Sequence, residues 1–205
     1  MEMSGAGRKA RVALVNPAPE EIVQGGWYRM PLLGIGYLAA FLRGRGFEAR
    51  IADAKFDRLG LDALLDRIAG FRPDILGVTA MTHEVARAAE IAAAARRRIP
   101  ALKTVIGGPH ATALPVETLR EFSAFDFAVF GEGEETLADL CGAIEEGGAG
   151  GDIPGLAFRG AGGEARPAAR RPGGATRPRR RARAAAARGG RGRTSSGARS
   201  RFTVG

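Results

Sequence analysis

Along residues 11–145, short β-branched runs alternate with stretches of period 3.6, and this alternation restricts the chain to a parallel sheet wrapped by helices. Five strand–helix pairs are legible. The strands are Arg11–Asn16, Glu48–Asp53, Ile75–Thr79, Lys103–Gly107 and residues 127–130, each short, apolar and bounded by Gly, Pro or Asp. Between them Ile35, Leu38, Ala39 and Leu42 fall on one helical stripe, and Leu61, Leu64, Leu65 and Ile68 repeat the spacing. A third helix is expected over about residues 84–97, with Val85, Ala88, Ala89 and Ala92 inward. A short fourth is expected near 116–122, and a fifth carries Leu137, Leu140, Cys141 and Ile144. The spacings suit right-handed crossovers, so the expected fold class is α/β: a doubly wound, flavodoxin-like, five-stranded parallel sheet in the order 2-1-3-4-5, with helices on both faces. In such sheets ligands bind outside the carboxyl ends of the strands.

The 205 residues suffice for one domain with a full core plus a tail. Residues 1–10 read as a flexible N-terminus, 11–146 as the domain, and 147–165 as a Gly-rich linker with one candidate edge strand at 155–159. Residues 166–205 read as a disordered Arg/Ala/Gly/Pro tail. The formal charge of +9 is misleading until it is divided. In residues 161–205, 13 Arg stand against Glu164 alone and contribute +12, which leaves the first 160 residues at −3. The folded part is therefore not basic. Removing residues 161–205 is expected to leave the fold unchanged, since the tail offers little apolar surface.

Cys141 is the only cysteine, so neither a disulfide framework nor a cluster needing several thiolates can come from this chain. Its place on an apolar stripe marks it as plain core. The first apolar run, Val12 to Val15, is far too short for a signal-peptide core or a membrane span, so a cytoplasmic protein without membrane contact is expected.

The loops following the strands carry the unusual residues. They are Asn16-Pro17-Ala18-Pro19, Thr79-Ala80-Met81-Thr82-His83, Gly107-Gly108-Pro109-His110-Ala111-Thr112 and Gly131-Glu132-Gly133-Glu134-Glu135-Thr136. Glycines admit a ligand close to the backbone, and hydroxyls bond a ring nitrogen or phosphate oxygen in little space. A large flat ligand with a polar tail suits such loops. Taken alone, Gly107-Gly108-Pro109 reads as a tight turn, and helix capping accounts for Glu134 and Glu135 but not for Gly131 and Gly133. No dinucleotide fingerprint follows the first strand and no P-loop lysine pattern occurs. A receiver domain is excluded because Asn16-Pro17 and Thr79-Ala80 supply neither its acidic pair nor its aspartate. His83 and His110 lie on ligand-side loops, where a histidine more often bonds a carbonyl or a ligand amide than a metal.

Four segments in this order, Val12 to Pro17, Pro31 to Ala40, Gly107-Gly108-Pro109-His110-Ala111-Thr112 and Gly131-Glu132-Gly133-Glu134, resemble the N-terminal cobalamin (B12)-binding domain of B12-dependent radical-SAM proteins. The resemblance covers most of residues 11–145. It implies cobalamin as cofactor, held by Asn16, Pro17, Gly34, Thr79, Met81, Thr82, Gly107, Gly108, Pro109, His110, Gly131, Glu132, Gly133 and Glu134, with no catalytic residue in this chain. Thr79-Ala80-Met81 also resembles the Ser-x-Leu element of methionine-synthase-type cobalamin domains, and the 25 residues 82–106 separate it from Gly107-Gly108 at close to that family's spacing. By that likeness Thr79 approaches the buried dimethylbenzimidazole tail, and Gly107 and Gly108 leave it room.

The same alignment places Gly34 on the glycine of the Asp-x-His-x-x-Gly motif, which puts Pro31 where the cobalt-ligating histidine stands and Arg29 where its aspartate stands. The resemblance thus implies cobalamin with no protein imidazole on cobalt, the metal being held by the corrin. Full-length relatives continue into a barrel whose cysteine triad binds a [4Fe–4S] cluster that cleaves S-adenosylmethionine. One cysteine cannot supply that triad, so cluster and S-adenosylmethionine are expected only in a full-length relative or a separate radical-SAM partner. The expected function is a cobalamin-binding module of the methyltransferase or cyclase class. The alternative is a nucleic-acid-associated protein whose Arg-rich tail neutralises phosphates. The tail's composition is also that of a high-GC gene read out of frame, and a truncated or frameshifted product is the leading reading of it.

Overall fold

The computed structural model describes residues 8–18, 32–148, 150–160 and 162–168. Strands β1 (Arg11–Asn16), β2 (Glu48–Asp53), β3 (Ile75–Thr79), β4 (Lys103–Gly107) and β5 (Phe127–Val129) run parallel in the expected order 2-1-3-4-5. Their residues alternate between two covered faces. Val12, Leu14, Ile75, Val105 and Phe127 point into one layer and Ala13, Val15, Leu76, Val78 and Ile106 into the other. Burial on both sides explains why β1, β3 and β5 read as continuous apolar runs, whereas the edge strand β2, with Glu48, Arg50 and Ile51 exposed, does not.

Helices α1 (Leu33–Gly44) and α7 (Gly133–Glu145) cover the first face. On the other lie α3 (Leu61–Phe71), α4 (Val85–Arg98) and α6 (Pro115–Glu121), the last shifted by one residue from the expected span. Two short helices escape the periodicity because a single turn has no period to read: α2 (Ala54–Asp57) and α5 (Pro109–Ala113). Cys141 is buried on α7 as expected. Burial, reinforced by the charges of Glu145 and Asp74, pushes its thiol up to about 12, so it stays protonated and inert.

The sheet is larger than the five strands expected. β6 (Leu156–Arg159), the candidate edge strand, pairs antiparallel with β5, and β7 (Ala165–Pro167) pairs antiparallel with β6, giving seven strands among the described residues. Arg166 and Pro167 therefore belong to a strand and not to a disordered tail. No hydropathy pattern marks so short a strand. It is held by backbone hydrogen bonds from Gly160 N to Glu164 O at 2.8 Å and from Ala168 N to Leu156 O at 2.7 Å, with the Arg166 guanidinium over Phe158. Pro167 is tolerated because it sits on the sheet edge.

The Gly-rich stretch after α7 is likewise built in. Gly150, at φ +70°, lies against Leu140, Ile153 and Leu156, where a Cβ would stand 3.1–3.4 Å from their side chains. At the other end Ala10 is buried and its N–H donates to Glu145 at 2.6 Å, so order begins before the first strand. Ending the chain after Gly160 strips β7 and uncovers β6, and is expected to lower the melting temperature by about 3–8 °C. Ending it after Ala168 keeps every described strand and should retain the wild-type value. Thermal denaturation of the two truncations, followed by circular dichroism, checks both.

Candidate functional site

The parallel register aligns the strand ends. Asn16 stands beside Asp53, and Thr79 beside Gly107, so the loops after β1, β3, β4 and β5 share one edge. Not every expected residue faces outward there. Asn16 and Pro17 are buried, and the Asn16 amide donates to Asp53 at 2.8 Å, which ties β1 to β2. Asp53 also caps α2 by accepting from Phe56 N at 3.0 Å.

The two glycines after β4 have different surroundings. Gly108 has φ +91°, and a Cβ there would lie 2.6 Å from Thr79 Oγ1, 3.0 Å from Ala80 N and 3.1 Å from Ala80 O. Its lack of a side chain lets the β4 loop lie directly on the β3 loop. Two backbone bonds secure that contact, Ala80 N to Gly107 O at 3.1 Å and His110 N to Ala80 O at 3.3 Å. A Cβ at Gly107 meets nothing within 4 Å. Of the two, Gly107 has open space beside it, as Gly131 on the β5 loop has, while Gly108 and Thr79 are occupied with each other.

Around that space the remaining residues form linked pairs. His110 Nδ1 lies 3.2 Å from Thr82 Oγ1, which leaves Nε2 as the ring's second polar atom. Thr112 Oγ1 accepts from Gly131 N at 3.3 Å and joins the β4 and β5 loops. Pro109 opens α5, Glu132 is the N-cap of α7, and Gly133 and Glu134 lie in its first turn, as the expected helix start requires. Gly34 sits in the exposed first turn of α1 with open space about it, and Met81, Leu33 and Leu114 expose large apolar side chains. His83 is exposed, 3.8 Å from Glu84.

Glu84, a buried charge at this edge, is absent from the sequence-based set. Glu84 closes a 3-10 turn (Thr82–Glu84) ahead of α4 and is 8% exposed. Its carboxylate accepts from Met81 N at 3.0 Å and from Lys55 Nζ at 2.8 Å. Burial pushes its pKa up, but the Lys55 ammonium, the Met81 N–H and the His83 charge outweigh that, and the net shift is downward. Its stabilising contribution is thus complete above the ordinary carboxylate value of 4.5 and is lost as pH falls through the lower folded value. A Glu three residues after an N-cap is a readable signal, obscured here because the cap is Met81 rather than Ser or Thr.

At the opposite end of the sheet a cleft of about 440 Å³ opens among Lys103, Asp126, Ile144 and Arg159. Two of its charged groups are engaged, Asp126 by Arg96 at 2.9 Å and Arg159 by the carbonyls of Leu119 and Gly163, and it lies at the amino ends of the parallel strands, away from the loops described above. Pro31, Arg29 and residues 169–205, with the arginines on which the nucleic-acid alternative depends, lie outside the described residues. Among the described residues there is no group of three or more His, Cys, Asp or Glu able to hold a metal ion, and no helix long and apolar enough to cross a membrane.

The chain resembles known proteins over much of its length. Residues 28–141 match the family model of the B12 binding domain. The chain is 32% identical over 126 residues to the anaerobic magnesium-protoporphyrin IX monomethyl ester cyclase of Rubrivivax gelatinosus, covering 61% of this chain and 22% of the cyclase. It is 36% identical over 117 residues to an uncharacterized methyltransferase of Pyrococcus horikoshii, covering 57% of this chain and 25% of that protein. Among solved structures, the radical S-adenosylmethionine methyltransferase TsrM from Kitasatospora setae, with cobalamin and a [4Fe–4S] cluster bound, superposes with a TM-score of 0.66 at 27% identity. That superposition covers 78% of this chain and 31% of TsrM. The chain thus spans about a third or less of the length of these relatives.

Proposed function

The chain belongs to the B12-binding domain family, and from that premise we propose that it holds cobalamin at the carboxyl edge of the sheet, with the space beside Gly107 receiving part of the cofactor. That space is the observation that carries the reading. A Cβ at Gly107 would meet no protein atom within 4 Å, and the loops on either side carry hydroxyls and an imidazole. Thr79 and Gly108 shape its wall through their mutual contact. Thr82 and His110 offer polar atoms to the cofactor's amides or phosphate, and Gly131 and Gly133 with Glu132 and Glu134 border it from β5. Asn16 and Pro17 act from beneath, by fixing the end of β1. The cofactor domain is residues 11–146, and β6 and β7 complete its sheet.

Bound cobalamin supplies cobalt-centred organometallic chemistry, for which this chain contributes binding and orientation. With Pro31 in place of a ligating histidine, we assign no protein ligand to cobalt. The iron–sulfur and S-adenosylmethionine chemistry resides in the remainder of a longer protein or in a separate radical-SAM chain, because buried Cys141 provides no thiolate triad. The parent activity is methyl transfer or cyclisation, in the cytoplasm.

Dialysis of the full chain against hydroxocobalamin is expected to leave a folded, coloured protein. A folded but colourless protein refutes the reading. With the cofactor's own base also off the metal, as the likeness at Thr79 implies, paramagnetic resonance of the cob(II)alamin form should show cobalt lines without nitrogen triplet splitting. Triplets that vanish in His83→Ala or His110→Ala would show a protein ligand instead.

A further inference from the structure

Glu84 and Lys55 have no part in the site as drawn so far, and their placement across the strand order is unusual. In the sheet β1 lies between β2 and β3. Lys55, on α2 directly after β2, reaches Glu84, which follows β3, so the 2.8 Å ion pair crosses the end of β1 and joins two strands that are not neighbours. That separation is two strand spacings, about 10 Å. On the β2 side, Asp53 anchors α2 to Asn16 of β1 and to Phe56 N. On the β3 side, Glu84 accepts from Met81 N at 3.0 Å. A line of polar contacts therefore runs from β1 through the start of α2 to the turn that carries Thr79, Ala80 and Met81.

Helix capping alone does not require this arrangement. The N-cap side chain at Met81 is a thioether, a weak acceptor, and a Ser, Thr or Asp there would satisfy the helix start without burying a charge. Burying an ionised carboxylate is costly unless partnered, and its partner here comes from a separate element. The consequence reaches Gly107. Ala80 N bonds Gly107 O, His110 N bonds Ala80 O, and Gly108 rests on Thr79 and Ala80, so the position of Met81 sets the position of the open space.

Building on the cobalamin reading, we propose that the Lys55–Glu84 pair is a strut that holds the Thr79–Met81 turn in the shape the cofactor requires, which makes Glu84 a positioning residue of the site. Glu84→Gln retains an oxygen for Met81 N and removes only the charge; Lys55→Met retains the stem and removes the ammonium. In the full chain each is expected to weaken hydroxocobalamin binding about tenfold, read by visible absorbance titration. The double variant should bind no more weakly than the weaker-binding single variant, because the two groups act as one unit. Amide exchange at Met81 in the cofactor-free chain should accelerate by more than about tenfold in each single variant.

Ile68→Val, in the core of α3, is the control for lost stability and should leave both readouts at wild type while the protein remains folded. Variants that melt earlier yet keep wild-type affinity, or whose losses in affinity simply add, overturn the strut while leaving the cobalamin reading intact. A wild-type chain that takes up no hydroxocobalamin overturns the cobalamin reading and the strut's purpose with it. Met81 exchange unchanged in both variants overturns the mechanical part by itself.

Discussion

Gly107→Val is expected to reduce cobalamin affinity by more than about a hundredfold while shifting the melting temperature by no more than about 2 °C. The two halves of that result have separate causes. The backbone at Gly107 is not in the left-handed region and a Cβ there meets no protein atom within 4 Å, so the folded chain accepts the side chain without strain. Gly107 ends β4, where a β-branched residue is favoured. The added methyl groups enter the space assigned to the cofactor, and a large rigid ligand gives way poorly to overpacking. Equilibrium titration with hydroxocobalamin, alongside a thermal melt, measures both quantities. Unchanged affinity would place the cofactor away from Gly107 and remove the main support for the site.

Gly108→Ala should behave in the opposite manner and damage the protein before any ligand is added. At φ +91° and ψ −173° the backbone occupies a region nearly restricted to glycine, and the new Cβ would stand 2.6 Å from Thr79 Oγ1 and 3.0 Å from Ala80 N. Backbone strain and the clash together are expected to cost about 2–4 kcal/mol, which corresponds to roughly 5–15 °C in melting temperature for a domain of this size. Cobalamin binding should fall as well, because the β3 and β4 loops must separate to accommodate the methyl group. Urea denaturation gives the stability change directly. A variant as stable as the wild type would mean that the loops are not in the contact described. The sequence-based reading gave both glycines the same purpose, room for the cofactor's tail. The structure gives them different neighbours: Gly108 allows two loops to touch, and Gly107 leaves space outside them.

Much of this architecture is legible in the sequence because its determinants are local. The runs Val12 to Val15 and Ile75 to Val78, and the stripes at Leu64, Leu65 and Ile68 and at Leu137, Leu140 and Cys141, have a period set by strand or helix geometry itself. The order 2-1-3-4-5 is one of the few that right-handed crossovers of these lengths permit. The loops at the strand ends are likewise readable, since ligand-bearing loops of such a sheet must lie at its carboxyl edge. What escapes is short or non-local. β7 has three residues, one of them proline, and exists because β6 offers unpaired backbone groups. Glu84 gives no sign of its partner, because Lys55 lies 29 positions away on another element.

The sequence by itself thus determined the fold class, the edge at which a sheet of this class carries its ligand loops and the resemblance to cobalamin domains, all of which depend on residue type and spacing along the chain. Only the tertiary structure decided which of those loop residues face outward. Asn16 turns to Asp53, Gly108 faces Thr79, and Gly107 alone of the pair has room for a Cβ. The physical reason is that a side chain's direction at a loop is set by what other strands place beside it. Neighbours brought together by folding, such as Thr79 with Gly108 or Lys55 with Glu84, are not encoded in any local period.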